Sequence, residues 1–308
     1  MKYAVFTVMV PDWDLAETAA NLAEIGYDGV EWRVSDPANE AIWQRIPEEA
    51  RPQARYWLNN KATISPAELN ERAPEIKRLT EEAGLEFCSL ATYMGVHEYD
   101  PIERAMLAAQ AMGCPRIRVH TPSYDRSRNY NELFAETTEH LREVERLARR
   151  HGLAADVETH FGNITASAAL MHRLVSPFDP QYIGVIYDPG NMVYEGYEAW
   201  RMGFELLGPY LHEVHAKNAV WSPVDKGAQG LFGSGPKPTE KQIADGTVVW
   251  APHFSAMATG FANWQQIMED LAAVGYDGWI AFEDFSETGM TLKEKCAANL
   301  AYLKNYEG

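Results

Sequence analysis

The sequence predicts a protein of the α/β class built as a single (β/α)₈ TIM barrel. Eight short runs with strand character alternate with helical patterns along the 308 residues, and this alternation is typical of a parallel sheet. Eight is also the number of parallel strands that closes a barrel. The competing fold is an open doubly wound sheet, which would need a glycine-rich phosphate loop after the first strand. The segment FTVMVPDWDL contains no GxGxxG motif.

The predicted strands are spread over the whole chain. They lie near residues 3–8, 29–33, 85–91, 116–120, 154–159, 182–188, 212–216 and 278–283. Helical patterns separate them, and four of these patterns carry apolar residues at three- and four-residue spacing and stop at a glycine. The four glycines are Gly26, Gly113, Gly152 and Gly275. Each indicates a left-handed helix C-cap, because residues with a side chain rarely adopt a positive φ.

One short phrase occurs near both ends of the chain, as IGYDGVEW at 25–32 and VGYDGWIAFE at 274–283. In each copy the glycine can end a helix, the tyrosine can pack back on the helix end, and the Asp-Gly pair can lead into the next strand. We therefore predict that the phrase is a helix-to-strand joint, which recurs wherever βα units are stacked.

Two stretches exceed a minimal barrel, so the single domain 1–308 is predicted to carry insertions at about 35–63 and 219–261. Both follow predicted strands at the ends where barrel enzymes place their sites. Long loops in compact domains are either functional or disordered, and a solvated excursion is one interpretation. The second insertion is rich in large aromatic residues, among them Trp221, Phe232, Trp250 and Phe254. This content favours a lid or a subunit contact.

The amino-acid composition limits which classes of partner and which cellular compartment we expect. The formal net charge of −17 argues against nucleic acid or an anionic membrane as a standing partner. No apolar run is long enough to span a bilayer, and the N-terminus lacks the pattern of a signal peptide. The cysteines Cys88, Cys114 and Cys296 lie far apart without a CxxC pair, which indicates buried, reduced thiols. We therefore expect a cytoplasmic protein.

The most informative residues are polar side chains at the ends of four late strands. Barrel interiors are filled by branched apolar side chains, so a carboxylate or imidazole at a strand end needs an explanation. The four ends read ADVETH with Glu158 and His160, GVIYDPGN with Asp188 and Asn191, HEVHAKN with His215 and Lys217, and WIAFED with Glu283 and Asp284. Because consecutive strands of one barrel bring their carboxyl ends to one mouth, we expect side chains from all four strands to converge there.

Three carboxylates that meet at one mouth would repel one another and could not all ionise unaided. A divalent cation removes that conflict. The predicted ligands are Glu158, Asp188, His215 and Glu283. Three hard oxygen donors and one imidazole suit Mn²⁺ or Mg²⁺, with Co²⁺ and Zn²⁺ as alternatives, and Mn²⁺ is our first expectation.

Each of these residues also has an ordinary structural interpretation. A glutamate at a strand end often caps a helix or forms an ion pair, and Asp188 before Pro-Gly suits a turn. His215 could be a hydrogen-bonded core histidine, and Lys217 could pair with a neighbouring carboxylate. Four such residues on four successive strands favour the functional interpretation over four separate structural ones.

Further candidates come from the earlier strands. Arg118 and His120 alternate at the end of the fourth strand, RIRVH, and could face the same mouth. Glu31 on the second strand is interpreted as a structural or supporting carboxylate of the barrel interior. We expect His120 and His160 to contact substrate, and His160 or Lys217 to hold substrate oxygens or supply a proton.

These segments resemble the sugar phosphate isomerase/epimerase superfamily, the xylose-isomerase-like TIM barrels, which includes ketose 3-epimerases, hydroxypyruvate isomerases and inosose dehydratases. The matching pieces are GYDGVEW, VETH, YDPGNM, VHAKN and GYDGWIAFE, and they cover nearly the whole chain in the expected order. The resemblance implies that the family's metal quartet maps onto the four ligands named above. It also implies that the family's paired acid/base role maps onto Glu158 and Glu283.

Two positions depart from the patterns of relatives in this superfamily. Asn191 stands where ketose epimerases often place a substrate-binding histidine, so the resemblance implies a substrate contact there. Lys217 follows the metal histidine as in the HxKD pattern of other members, although Asn218 replaces the aspartate. These departures and the long second insertion favour keeping more than one reaction open.

The expected reaction is proton abstraction beside the carbonyl of a keto sugar or related polyol ketone by a metal-dependent isomerase or epimerase, with Glu158, Glu283 and Lys217 as catalytic residues. The alternative is a metal-dependent lyase or dehydratase acting on a 3-keto sugar or 3-keto glycoside, similar to inosose dehydratases or to the barrel subunit of C-glycoside deglycosidases. An endonuclease-type phosphodiesterase is disfavoured by the acidic charge, and a non-catalytic subunit by the intact quartet. We expect an unphosphorylated sugar as substrate, and a homo-oligomer or a hetero-oligomer with a small partner subunit.

Overall fold

The computed structural model describes residues 1–225 and 239–307. The strands in these ranges are β1 (Lys2–Phe6), β2 (Gly29–Val34), β3 (Glu86–Gly95), β4 (Arg116–His120), β5 (Ala154–Glu158), β6 (Ile183–Tyr187), β7 (Leu211–Ala216), β8 (Ala219–Asp225), β9 (Val248–Phe254) and β10 (Trp279–Phe282). Within the described ranges, β1 to β7 and β10 pair in parallel around a closed ring, in which β10 lies between β7 and β1. The predicted TIM barrel is therefore confirmed.

Helices on the outside of the barrel connect the strands. The helices of the described ranges are α1 (Leu15–Ile25), α2 (Glu40–Trp43), α3 (Arg51–Leu58), α4 (Leu69–Glu82), α5 (Tyr99–Met112), α6 (Tyr130–His151), α7 (Ala168–Val175), α8 (Pro189–Tyr194), α9 (Trp200–Leu207), α10 (Glu240–Ala244), α11 (Trp264–Ala273) and α12 (Leu292–Lys304). None of those helices combines the length and the apolar character needed to cross a bilayer. The three cysteines are free and buried, as predicted.

The repeated phrase forms the same joint at both ends of the chain. Gly26 ends α1 with a φ of 97°, and Gly275 follows α11 with a φ of 75°, so both adopt the left-handed conformation predicted for them. The hydroxyl of Tyr27 donates to the backbone carbonyl of Cys296 on α12 at 2.9 Å, and that of Tyr276 donates to the carbonyl of Trp279 on β10 at 2.7 Å, so these bonds reach other elements than the preceding helix ends. Gly29 opens β2 where a Cβ would lie 2.6 Å from the carbonyl of Glu86, so only glycine fits this close approach of strands.

The predicted insertions follow β2 and β7, and the second differs from a plain loop. It contains β8 and β9, which pair as an antiparallel hairpin in register from Ala219 opposite Phe254 to Asp225 opposite Val248. Local sequence gave little sign of these strands, because each contains a proline that a central strand would not tolerate. In a two-stranded ribbon both strands are edges, so the prolines are accommodated. Phe232 of this insertion lies outside the described residues.

Candidate active site

The four predicted metal ligands meet at the carboxyl end of the barrel. Glu158 ends β5, His215 lies on β7, and Glu283 directly follows β10. Asp188 follows β6 and caps α8, with its side chain accepting a hydrogen bond from the backbone of Asn191. One ligand atom from each of the four lies within 4.8 Å of the others, and all four side chains are buried. Residues that are up to 125 positions apart are thereby brought to one point because parallel strands end at one mouth.

The imidazole of His215 faces the three carboxylates through Nδ1. This nitrogen lies 3.5 Å from Glu158 Oε1, 3.7 Å from Glu283 Oε2 and 3.9 Å from Asp188 Oδ2. It is buried and has no hydrogen-bond partner among the described residues. On the other side of the ring, Nε2 lies 3.0 Å from Glu31 Oε2. A carboxylate behind a ligating histidine fixes the orientation of its ring, so Glu31 leaves Nδ1 for a cation.

Two basic side chains partly neutralise this acidic centre. Lys217 Nζ lies 2.7 Å from Asp188 Oδ2 and 2.5 Å from Glu283 Oε2. Arg118 Nη1 lies 2.8 Å from Glu158 Oε2, and both side chains of this pair are buried. Arg118, a sequence candidate for the mouth, is therefore engaged with a carboxylate of the site.

The pKa values follow this distribution of charge. Burial raises the pKa of Asp188 to about 7, which Lys217 opposes and the neighbouring carboxylates reinforce. Burial acts in the same direction on Glu158, but Arg118 outweighs it and holds the pKa of Glu158 well below its ordinary value. Against the effect of burial, Lys217 likewise lowers the pKa of Glu283. The set therefore contains two carboxylates with a lowered pKa and one whose pKa is raised to near neutrality.

The pKa of His215 also indicates that positive charge is favoured at this site. Burial alone would lower the pKa of this imidazole. The carboxylate of Glu31, together with the nearby carboxylates of Glu158, Glu213 and Glu283, instead raises its pKa well above the ordinary value. The surroundings of the ring therefore favour positive charge beside the three carboxylates, which a metal cation could supply. The donor set and the unpartnered Nδ1 fit a divalent cation that accepts oxygen and imidazole ligands.

Asn191 supports a carboxylate of the site. Its side-chain amide donates to Glu158 Oε1 at 2.9 Å and to the backbone carbonyl of Thr159 at 3.1 Å. The amide oxygen of Asn191 is buried without a hydrogen-bond partner among the described residues. The side chain also lines the cavity above the quartet, where a substrate contact remains a prediction.

The two predicted substrate-binding histidines line that same cavity. Burial, with the charge of Arg118, lowers the pKa of His120 to about 3, so this ring is neutral. Burial and the charge of Lys217 lower the pKa of His160 despite the nearby Glu158, and His160 Nδ1 lies 2.7 Å from the carbonyl of Phe161. Both rings offer neutral hydrogen-bonding nitrogens.

A cavity of about 210 Å³ lies over the carboxylates. Its polar lining includes Arg118, His120, Glu158, His160, Asn191, Lys217 and Glu283, and its walls are the aromatic rings of Trp57, Tyr93, Phe161, Phe254 and Phe285. Of the rings, the sequence singled out Phe254 alone, within the second insertion. Trp57 belongs to the first insertion, where the mixture of proline and charged residues concealed its role.

Glu213 is a buried carboxylate that sequence reasoning missed. It lies on β7 two residues before His215, and its Oε1 is 3.6 Å from His215 Nε2. Neither carboxylate oxygen has a hydrogen-bond partner among the described residues. The signal was present in HEVHAKN, because the alternation that places His215 and Lys217 on one face also includes position 213.

Comparison with curated proteins gives one partial match. An inosose dehydratase from Geobacillus thermodenitrificans (strain NG80-2) is 22% identical over 167 residues, which are 54% of this chain. The match spans about half of that relative, 52% of its length.

Two solved structures show the same fold along the whole chain. A 3-keto-D-glucoside 4-epimerase from E. coli, in its apo form, has a TM-score of 0.68 at 16% identity, with 99% of each chain covered. A D-psicose 3-epimerase with D-tagatose from Clostridium cellulolyticum H10 has a TM-score of 0.64 at 14% identity, again with 99% of each chain covered. At these identities the likeness concerns the fold alone.

The sequence model of one family matches nearly the whole chain, from residue 19 to residue 306. Its description agrees with the closed parallel barrel and with the resemblance stated from the strand-end motifs. The protein belongs to the xylose isomerase-like TIM barrel family.

Proposed function

We propose that the protein is a divalent-metal-dependent sugar isomerase or epimerase. It removes a proton from the carbon beside the carbonyl of a keto sugar or a related polyol ketone. The observation that carries this proposal is the meeting of three carboxylates and one unpartnered imidazole nitrogen, within 4.8 Å of one another, beneath a small cavity. Single polar residues at strand ends have structural explanations, but a buried acidic centre short of positive charge has none.

The proposed ligands of the cation are Glu158, Asp188, His215 and Glu283, and Mn²⁺ is the ion we expect first. When bound, the cation supplies Lewis acidity toward the carbonyl oxygen of the substrate. Glu31 keeps the imidazole in place, and Arg118 keeps Glu158 ionised.

Glu158 and Glu283 are the proposed acid/base pair. They come from β5 and β10, which are separated in the barrel by β6 and β7, so they approach a substrate from different sides of the cavity. Both have lowered pKa values and are ionised at neutral pH, so either can accept the proton while the electron pair of the C–H bond moves toward the carbonyl oxygen. Return of a proton from the other side inverts the carbon, and return to the neighbouring carbon isomerises the sugar.

Lys217 and the cavity histidines are proposed to hold the substrate. Against burial, Asp188 and Glu283 raise the pKa of Lys217 above its ordinary value, so the side chain remains an ammonium that donates hydrogen bonds. His120, His160 and Asn191 line the same cavity and are proposed substrate contacts. Phe254, from β9, closes one wall, which supports a lid role for the second insertion.

Elimination is a second candidate, and one contact favours it specifically. An elimination needs a base for the C–H bond and an acid for the departing oxygen. Glu283 and the ammonium of Lys217 lie 2.5 Å apart at the edge of the cavity and could supply these two groups. The partial likeness to a protein named as an inosose dehydratase points in the same direction. The substrate would then be a 3-keto sugar, a 3-keto glycoside or an inosose.

Deuterium incorporation tests the step that both reactions share. The Mn²⁺-loaded protein would be incubated in D₂O with D-fructose, 3-keto-D-glucose or an inosose, and the products analysed by NMR and mass spectrometry. We expect deuterium beside the carbonyl of at least one sugar, and elimination would reveal itself by loss of water. Glu158→Gln and Glu283→Gln should each slow exchange by about 10²–10⁴-fold. Glu139→Gln, on the exposed face of α6, is the matched control. Unimpaired exchange in both active-site variants would refute the assignment.

A further inference from the structure

A second, larger cavity adjoins the catalytic one. It has a volume of about 840 Å³, about four times the 210 Å³ of the catalytic cavity. We call it the outer groove, and it is lined by Ser35, Asp36, Asn39 and Glu40 of the first insertion together with Trp57 and Tyr93. Trp57 and Tyr93 also line the catalytic cavity, so the two cavities meet along these two rings. A molecule bound over the carboxylates therefore has a path across two aromatic side chains.

Several contacts hold the two shared rings in place. Arg33 is 3% exposed, and its guanidinium donates to the backbone carbonyl of Trp57 at 3.1 Å and to the hydroxyl of Tyr93 at 3.4 Å. The ring centroid of Tyr93 lies 5.1 Å from the guanidinium carbon of Arg33 and 4.8 Å from the guanidinium carbon of Arg118. The ring of Trp57 packs on Phe285 at 4.6 Å. Side chains held by such contacts in the free protein would lose little conformational entropy when a ligand binds against them.

The size of the two cavities indicates how a ligand is divided between them. Pockets that enclose a drug-sized ligand measure about 300–1,000 Å³, so the catalytic cavity alone suits one small ring, whereas the outer groove can take a further ring. The groove also combines aromatic faces with amide, hydroxyl and carboxylate groups at its edge, which is the mixture that orients polar ligands.

The charge of the groove selects against anions. Asp36 and Glu40 are exposed carboxylates at its edge. Arg33 is the cation of its lining, and donors of this guanidinium are already engaged by Trp57 and Tyr93. A phosphate would meet two negative charges there with little compensation, whereas an uncharged polyhydroxylated ring would meet hydrogen-bond acceptors.

We propose that the substrate is a neutral glycoside of two rings. Its keto-sugar ring occupies the catalytic cavity, and its second, uncharged sugar ring lies in the outer groove against Trp57 and Tyr93. This inference rests on the proposed function, because it takes the proton abstraction at the carboxylates as the reaction. It adds the substrate class and assigns the first insertion to recognition of the second ring.

Paired substrates test the groove separately from the chemistry. The Mn²⁺-loaded protein would be assayed for deuterium exchange with 3-keto-D-glucose and with 3-keto-cellobiose. We expect kcat/KM to be at least tenfold higher for the disaccharide, chiefly through a lower KM. Ala38→Trp places a large side chain in the groove and should reduce this preference to below threefold. Ala111→Trp, an exposed position of α5 outside the groove, should leave the preference intact.

The outcomes distinguish this inference from the function beneath it. Equal kcat/KM for the two substrates would refute binding of a second sugar ring in the outer groove. A preference that survives Ala38→Trp would refute it as well. Neither result would contradict proton abstraction at the carboxylates. Faster exchange with phenyl 3-keto-β-D-glucoside than with 3-keto-cellobiose overturns the choice of a sugar as the second ring. If neither substrate exchanges, the proposed function fails for 3-keto sugars. Calorimetry then compares the binding affinities of cellobiose and glucose. If cellobiose binds no more tightly than glucose, the proposed binding of a second ring in the outer groove is refuted.

Discussion

Replacing Asp188 by Asn tests the metal centre through thermal stability rather than through turnover. The substitution removes one negative charge, yet it keeps the Oδ1 atom that accepts a hydrogen bond from the backbone of Asn191 at 2.8 Å, so α8 keeps its cap. At free Mn²⁺ about 1,000 times the dissociation constant, binding to the folded state adds about 4.1 kcal/mol to the free energy of unfolding. With about 2.1 cal/mol/K of unfolding entropy for each of the 308 residues, the Tm of the wild type should rise by about 6 °C.

The variant should show a much smaller rise. Loss of residues that merely support a ligand weakens metal binding by about 10–100-fold, so loss of a ligand charge should weaken it by about 100-fold. At the same Mn²⁺ concentration the gain then falls to about 1.4 kcal/mol, or about 2 °C. Differential scanning calorimetry with and without EDTA measures both values.

The control is Asp156→Asn, which changes a buried aspartate of β5 that bonds His212 at 2.7 Å and is not one of the proposed ligands. Its baseline Tm should fall, while its rise with Mn²⁺ should remain about 6 °C, as in the wild type. An equal rise in the wild type and in Asp188→Asn, or no rise with Mn²⁺, Mg²⁺, Co²⁺ or Zn²⁺, would refute the assignment of the quartet.

Three further predictions concern the residues around the site. Arg118→Met leaves the buried charge of Glu158 without its partner and should lower the free energy of unfolding by about 3–5 kcal/mol. Combining it with Glu158→Gln should restore part of this loss. A loss below about 1 kcal/mol in urea unfolding would contradict the prediction. Burial acts to lower the pKa of His212, but Asp156 outweighs it and raises this pKa in the folded state. Protonated His212 therefore stabilises the folded protein fully below the unfolded pKa of about 6.5, and this stabilisation is lost as the pH rises through the folded pKa. His212→Gln should therefore flatten the decline of urea midpoints above that pH, and an unchanged slope would count against it. Asn218→Ala removes four side-chain hydrogen bonds at the base of the β8–β9 hairpin and should cost about 1–3 kcal/mol, with faster amide exchange at Ala262; unchanged protection there would exclude this role.

The convergence of the quartet could be predicted because it depends on two local regularities. Side chains alternate along a strand, and the carboxyl ends of parallel strands meet at one mouth. Glu158, His215 and Glu283 follow from these rules once the order of strands and helices is recognised. The helix-to-strand joints were equally local, because Gly26 and Gly275 need a positive φ whatever surrounds them.

The aromatic wall and the hairpin could not be predicted in this way, because both depend on contacts between distant segments. Trp57 of the first insertion lies 6.2 Å from Phe254 of the second and 4.6 Å from Phe285 after β10, measured between ring centroids. The local sequence around each of these three residues does not indicate that it contacts the other two. The pairing of β8 with β9 likewise spans the segment 226–247 and has no periodic signal strong enough to outweigh a proline in each strand.

The surroundings of His215 decide between a core histidine and a metal ligand. Five buried carboxylates lie within 3.9 Å of its two ring nitrogens, namely Glu31, Glu158, Asp188, Glu213 and Glu283. Among the described residues, the lysine and arginine side chains that form ion pairs with these five are Lys217 and Arg118. A core histidine needs one or two hydrogen-bond partners, and His215 has many more acidic neighbours than that. If all five carboxylates are ionised, Lys217 and Arg118 leave a net charge of about −3, and a protonated His215 reduces it to about −2. Protonation can relieve this deficit, and burial does raise the pKa of Glu31 and that of Asp188 to about 7. A divalent cation at Nδ1 supplies the missing charge without neutralising the bases that the reaction needs, which is why we interpret this cluster as a metal centre and not as a stabilising network.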